Sequence, residues 1–296
     1  MPAAADRQAL LRLDLSQQTA RRGFRGNHRV RQGFPLQCPI VLVARTIAMN
    51  VAADSQERPL SRRLVMITGA SSGIGKALAM AFAREGNPLL LISRRIQPMA
   101  ELAHGAVVYH QADVADSAAI VAAVKTAEEI HGPVECLVNS AGTADAREFE
   151  LVDEDSYSRE IDTNLKGVLN CTKAVLAGMM ARQSGTIINI SSVSDRKAAP
   201  VALAYTATKY AVRAFTESLR EAQSKNGVRL INIAPGYVRT NIHSGMHISF
   251  EEYRAKLGSP DFMTAEALAD IVLFCWKQPQ SICIRDLVVA PTRTTF

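Results

Sequence analysis

Tyr205 and Lys209 stand four residues apart in the stretch AYTATKYAV, Ala204 to Val212. On a helix that spacing stacks the two side chains on one face. A free phenol ionises at about pH 10, too high for a base at neutral pH. A neighbouring ammonium favours the phenolate, so the pair predicts a tyrosine acidified toward the working pH, able to give or take a proton. A third group must hold the substrate oxygen. Ser192, thirteen residues before Tyr205, has a hydroxyl suited to a carbonyl on which charge develops, with Ser191 as its rival. Taken singly, each of these residues also has an ordinary reading: helix surface, turn serine, or backbone binder.

A second chemistry lies in TGASSGIG, Thr68 to Gly75. Gly69, Gly73 and Gly75 permit a tight turn and close backbone approach. Ser71, Ser72 and Ile74 fill the turn between them. Where such a turn joins a strand to a helix, its N–H groups and the helix N-terminus favour a pyrophosphate. His243 and His247 have a helical spacing that suits a metal, but no supporting ligand pattern accompanies them, and no metal is expected.

These residues need elements to carry them. From Arg63 onward short apolar runs alternate with helix-like segments. The runs are residues 64–68, 89–93, 106–110, 135–139, 186–190, 229–233 and 284–289. Helical spacing occupies 74–86, closed by Gly86-Asn87-Pro88, and roughly 116–130, 155–182, 203–225 and 265–277. Continuous apolar strands alternating with helices predict an α/β fold: a doubly wound, Rossmann-type parallel sheet of about seven strands with helices on both faces, in a single domain, 62–296. Ligands in such folds bind beyond the carboxyl ends of the strands, where every polar cluster named here falls.

Residues 1–61 differ. The first 50 carry eight arginines and two acids, which accounts for the whole net charge of +6 and leaves 26 basic and 26 acidic residues in the remainder. The body therefore has no basic excess that points to nucleic acid. The leader reads as a basic, disordered tail, with an organellar transit peptide and a misassigned start (Met49 is an internal candidate) as the alternatives. No apolar run reaches membrane-spanning length. Five scattered cysteines with no C-x-x-C suit a reducing, cytoplasmic compartment, import by the leader being the alternative.

The glycine spacing is G-x-x-x-G-x-G, and from about 63 to 291 the chain resembles a classical short-chain dehydrogenase/reductase, whose fingerprint is TGxxxGxG. Further motifs follow in the family's order. ADV (112–114) offers Asp113, which matches the family's adenine-contacting acid, and Val114. NSAG (139–142) offers Asn139, Ala141 and Gly142, although the family more often has two asparagines there. DTNLKG (162–167) contains Asn164, which resembles the residue linking the lysine to a proton-relaying water. NISS (189–192) places Ser192 where the family's catalytic serine lies. In PGYVRT (235–240) the resemblance implies that Pro235 and Gly236 turn toward the nicotinamide, that the Val238 backbone meets its carboxamide, and that Thr240 lies near the pyrophosphate. It also gives Lys209 a second role at the nicotinamide ribose. Asn164, Ser192, Tyr205 and Lys209 are thus the expected catalytic set, with Tyr205 and Lys209 also touching the cofactor.

After the second strand come Ser93, Arg94 and Arg95. An acid there would bind the ribose hydroxyl of NAD; arginine accommodates the phosphate of NADP. NADP(H) is therefore the expected cofactor. Residues 237–262 lie where the family builds its substrate lid, with Arg239, His243, Met246, His247 and Tyr253 as possible contacts. The C-terminal segment resembles NADP-dependent 3-hydroxy acid dehydrogenases. A carboxylate substrate needs an arginine, for which Arg196 and Arg239 are the candidates. The expected activity is hydride transfer with a small alcohol or carbonyl. The alternatives are a silent NADP-binding regulatory protein and an epimerase or dehydratase of the extended branch. The resemblance also implies a homodimer or homotetramer paired through the helices at 155–182 and 203–225.

Overall fold

Strand β1, Leu64–Thr68, shows why the sheet is covered on both sides. All five residues are buried. Val65 and Ile67 join one apolar cluster; Leu64 and Met66 join another. The same alternation runs through β2, Leu89–Ser93, whose Leu89 and Leu91 face one cluster while Leu90 and Ile92 face the other. The period of two in side-chain direction thus divides one continuous apolar run between two cores. Each fully buried Leu or Ile contributes about 2 kcal/mol.

The computed structural model describes residues 59–198, 200–242 and 249–294. The remaining strands are β3 (Val107–Gln111), β4 (Val134–Asn139), β5 (Gly185–Ile190), β6 (Val228–Pro235) and β7 (Asp286–Val289). They pair in the order β3-β2-β1-β4-β5-β6-β7, and every pairing is parallel. The order reverses between β1 and β4, which opens the crevice where ligands enter such sheets. The described α-helices are α1 (Gly73–Arg84), α2 (Ser117–His131), α3 (Glu154–Ile161), α4 (Gly167–Arg182), α5 (Leu203–Gln223), α6 (Phe250–Lys256) and α7 (Ala265–Lys277). α1 and α7 cover one face, with Phe82 and Trp276 packed at 6.4 Å; α2 and α4 cover the other. The doubly wound, seven-stranded expectation holds.

Boundaries differ where side chains outside the element decide them. Gly86, at φ 82°, ends α1 earlier than the apolar spacing does, and Asn87 N–H bonds back to Phe82. The helix expected over 155–182 is interrupted by a π turn, Asp162–Lys166. The expected leader, 1–61, lies outside the described residues except for its last three. Of these, Leu60 and Ser61 open a short turn, Leu60–Arg62, whose Leu60 carbonyl accepts from the Asn87 amide.

Candidate active site

The glycine turn is built so that nothing larger fits. Gly69 and Gly73 have φ of 67° and 52°, a conformation L side chains rarely adopt. A Cβ on Gly75 would stand 2.2 Å from the Gly69 carbonyl oxygen, and one on Gly69 2.8 Å from the Ala141 Cα. The turn is therefore packed against the loop after β4, and Thr68 Oγ1 accepts from the N–H groups of Ser140 and Ala141 at 3.1 Å each. Ser72 occupies the cap position of α1 without a side-chain cap bond, which leaves the first N–H groups of the helix for a ligand. Thr240 approaches from the far side, 3.2 Å from where a Gly73 Cβ would lie. These residues fit a dinucleotide pyrophosphate.

At the end of β2, Ser93 meets Ser71 hydroxyl to hydroxyl at 2.9 Å, and Arg94 and Arg95 are both exposed beyond it. Asp113, after β3, is half-buried, and its Oδ1 accepts from the Ala115 N–H. Val114 packs against Gly167, where a Cβ would come within 2.4 Å of it. The Asn139 amide donates to Asn189, whose own amide donates to Thr216. At this buried position the Asn139 side chain joins β4 to β5 and α5. Gly236, after β6, donates its N–H to Val289 on β7, and Val238 bridges Met263.

The four expected catalytic side chains converge. Tyr205 and Lys209 lie on α5 as their spacing predicts, with Lys209 Nζ 5.4 Å from the Tyr205 ring centre. Ser192 lies beside Tyr205, where its hydroxyl draws the phenol down, and its Oγ accepts from the Ser194 N–H at 3.1 Å. Ser191 is buried, its N–H bonds to Ile233 on β6, and its hydroxyl has no partner among the described residues. Of the two serines, Ser192 is the one that lies beside Tyr205. Asn164 is fully buried within the π turn. Its carboxamide donates to the Thr143 carbonyl and accepts from the Thr143 N–H, and it also reaches Thr208 on α5. Gly142 lies against this group; a Cβ there would be 3.5 Å from Asn164 Oδ1 and 3.9 Å from Lys209 Nζ.

One electrostatic expectation fails. Burial pushes the Tyr205 phenol up to about 12 against the Ser192 bond, and the Tyr253, Glu160 and Asp195 side chains push the same way. Lys209, itself lowered to about 8 by burial, stacks on the ring and donates to the Ile190 carbonyl at 3.0 Å. At Tyr205 desolvation outweighs the neighbouring cation.

Asp195 was not legible in the sequence. It is buried three residues after Ser192, and its charge supports the Lys209 ammonium. Arg196 binds Asp195 at 2.7 Å and both oxygens of Asp286 on β7 at 2.8 and 2.9 Å; Asn232 donates to both acids. Arg196 is therefore occupied by two carboxylates and does not serve as a free substrate-binding arginine. Arg239 is exposed, 5.1 Å from the Phe250 ring. Phe262 gathers Tyr237, Phe250 and Tyr253 around it at 5.0 to 6.4 Å. His243, Met246 and His247 lie outside the described residues.

Comparison with known proteins agrees with this geometry. Residues 63–247 match the family model described as short chain dehydrogenase. An uncharacterized oxidoreductase of Listeria monocytogenes is 32% identical over 250 residues, covering 79% of this chain and 98% of the relative. Oxidoreductase UcpA of Escherichia coli is 43% identical over 190 residues, 61% of this chain and 71% of the relative. A glycine betaine reductase of Emericella nidulans is 34% identical across 79% of this chain, but the match spans only 19% of that relative. Among solved structures, the closed form of serine dehydrogenase complexed with NADP+ superposes with a TM-score of 0.74 at 28% identity, covering 79% of this chain and 96% of the other. An alcohol dehydrogenase from Thermococcus sibiricus complexed with 5-hydroxy-NADP gives 0.68 at 26% identity, covering 77% and 95%.

Proposed function

We propose, because this chain belongs to the short-chain dehydrogenase family, that it is an NADP(H)-dependent oxidoreductase acting on a small alcohol or carbonyl. The observation that carries this reading is the convergence of Ser192 and Lys209 on Tyr205, in a chain whose glycine turn admits no side chain and packs on the loop whose Gly142 lies against Lys209. NADP(H), when bound, supplies or accepts the hydride. The chain's own residues do the rest. Ser192 holds the substrate oxygen, and Tyr205 moves the proton to or from it. Lys209 keeps a cation against the phenol ring, and Asn164 fixes the loop at Thr143 against α5. Arg94, with Arg95 beside it, is the group for the ribose phosphate, which the NADP-bound neighbours support.

Occupation of Arg196 removes one of two arginines considered for a substrate carboxylate, so small neutral aldehydes and ketones belong beside 3-hydroxy acids as candidates. The test follows NADPH absorbance with purified protein across small aldehydes, ketones and 3-hydroxy acids. Turnover with at least one of them is expected; cofactor binding without turnover across all of them overturns the reading.

Phe149, Leu151, Ile161 and Leu203 are exposed around α3 and the start of α5, and Phe149, Ile161 and Leu203 line an apolar hollow of about 530 Å³. This hollow touches none of the four expected catalytic side chains, and a second subunit would cover it. A monomer's mass by light scattering at working concentration excludes that homo-oligomer. No described helix is long and apolar enough to cross a membrane. Among the described residues Cys136, Cys171, Cys275 and Cys283 are free and the first three are buried, which supports a reducing, cytoplasmic location; mature protein found in an oxidising compartment would exclude it.

A further inference from the structure

We propose that Asp286, the first residue of β7, is a positioning residue for Ser192: through Arg196 and Asn232 it fixes the turn at 192–195 that presents the serine hydroxyl. The inference rests on the reading of Ser192 as the group that holds the substrate oxygen.

Ser192 caps a single 3-10 turn, Val193–Asp195. The Asp195 N–H donates to the Ser192 carbonyl at 2.9 Å, and the Ser194 N–H donates to the Ser192 Oγ at 3.1 Å. So short a turn, with the poorer bond geometry of its class, has little hold of its own. The place of the serine hydroxyl therefore depends on what fastens the far end of the turn, at Asp195.

Asp195 is fully buried, so both its oxygens need partners within the protein. Arg196 Nε donates to Oδ1 at 2.7 Å, and Asn232 Nδ2 donates to Oδ2 at 2.9 Å. Arg196 is the next residue in the chain and by itself would move with the turn. Asp286 anchors it. The two Nη groups of Arg196 donate to the two oxygens of Asp286 at 2.9 and 2.8 Å, a bidentate pair. Asn232 stands opposite Asp286 in the register of β6 and β7, and its Nδ2 also donates to Asp286 Oδ1 at 2.9 Å. One amide thus joins the two acids, and one guanidinium joins them again. Without Asp286 the sheet would hold Asp195 through Asn232 alone. The glycine turn and Arg94 take no part: they follow β1 and β2, and β4, β5 and β6 lie between these and β7.

Asp286→Asn keeps the size of the side chain but accepts from the Arg196 fork through one oxygen only. Two measurements on the full chain check the proposal. Hydrogen exchange, read on peptides by mass spectrometry, needs neither cofactor nor substrate. The peptide carrying residues 192–197 should exchange about tenfold faster in Asp286→Asn, and the peptide carrying the glycine turn should keep its rate. No change at 192–197, or the same acceleration in every peptide, overturns the proposal.

The second measurement is a kinetic cycle with Ser192→Ala. In the parent chain Asp286→Asn should lower kcat about tenfold and leave KM for NADPH in place. In Ser192→Ala, where no hydroxyl remains to be placed, the same change should cost less than about twofold. Equal losses in the two backgrounds overturn the positioning role, as does an undiminished kcat in Asp286→Asn. Arg196→Lys opens the same fork from the other side and should reproduce both results, which keeps the test available should Asp286→Asn not fold. Absence of turnover in the parent chain is a failure of the dehydrogenase reading, and the exchange rates still decide whether Asp286 holds the turn.

Discussion

Tyr205→Phe lowers turnover about a thousandfold, within the range that a positioned acid or base contributes, and leaves the Kd for NADPH within about twofold. The substitution removes one oxygen from a helix whose position is set elsewhere, by Thr208 bonded to Asn164. The glycine turn and Arg94 are not touched. The direction of the reaction decides the pH dependence. Carbonyl reduction needs the neutral phenol as donor, the form that burial favours, with the pKa pushed up to about 12. Alcohol oxidation needs the phenolate, so its rate should rise with pH. Lys209, lowered to about 8, is charged below that pH and loses its proton above it, which limits the gain on the alkaline side. Steady-state rates and cofactor titration on the same preparation check this. A variant that keeps a tenth of wild-type turnover removes Tyr205 from the chemistry.

Arg94→Asp reverses the cofactor preference. Losing a charge-assisted bond to the ribose phosphate costs about 2 kcal/mol, and placing a carboxylate against that phosphate adds repulsion. The ratio of kcat/KM for NADPH over NADH should therefore fall by at least about a hundredfold. NADH improves because the new acid can accept from the ribose hydroxyls. Ser93 stays bonded to Ser71, so the turn keeps its shape. Arg95→Ala, made in parallel, measures what the neighbouring guanidinium adds. An unchanged ratio in Arg94→Asp takes the phosphate away from this arginine.

The fold was legible because each buried strand is a short apolar run and each helix has a 3.6-residue period. The strands at 64–68 and 89–93 match residue for residue. The site was legible where motif and chain order coincide, as at Gly69, Gly73 and Gly75 or at Tyr205 and Lys209. It was not legible where a side chain acts across elements. Nothing local marks Asp195 as the buried partner of Arg196, or Asp286 as its second carboxylate ninety positions along the chain from that arginine. The same holds for Glu160, which looks like one more charge on an acidic helix but accepts the Asp145 N–H from the loop after β4. A clue existed in its spacing of four from Asn164, which places both on one helical face. The π turn was invisible too, because no pattern of apolar residues marks one extra residue in a turn. The expected acidification of Tyr205 failed for a related reason: spacing shows who is adjacent, not how much water has been removed.

The clasp of Arg196 between Asp195 and Asp286 has a consequence for how the enzyme comes into being. β7 is the last of the described strands, yet its first residue closes the turn that begins at Ser192. A nascent chain still emerging from the ribosome can already hold the glycine turn, Tyr205 and Lys209. Until Asp286 arrives, Arg196 has one acid where it needs two, and Asn232 lacks its second acceptor. The surroundings of Ser192 are therefore completed only when β7 joins the sheet, not by the folding of the elements that carry Tyr205 and Lys209.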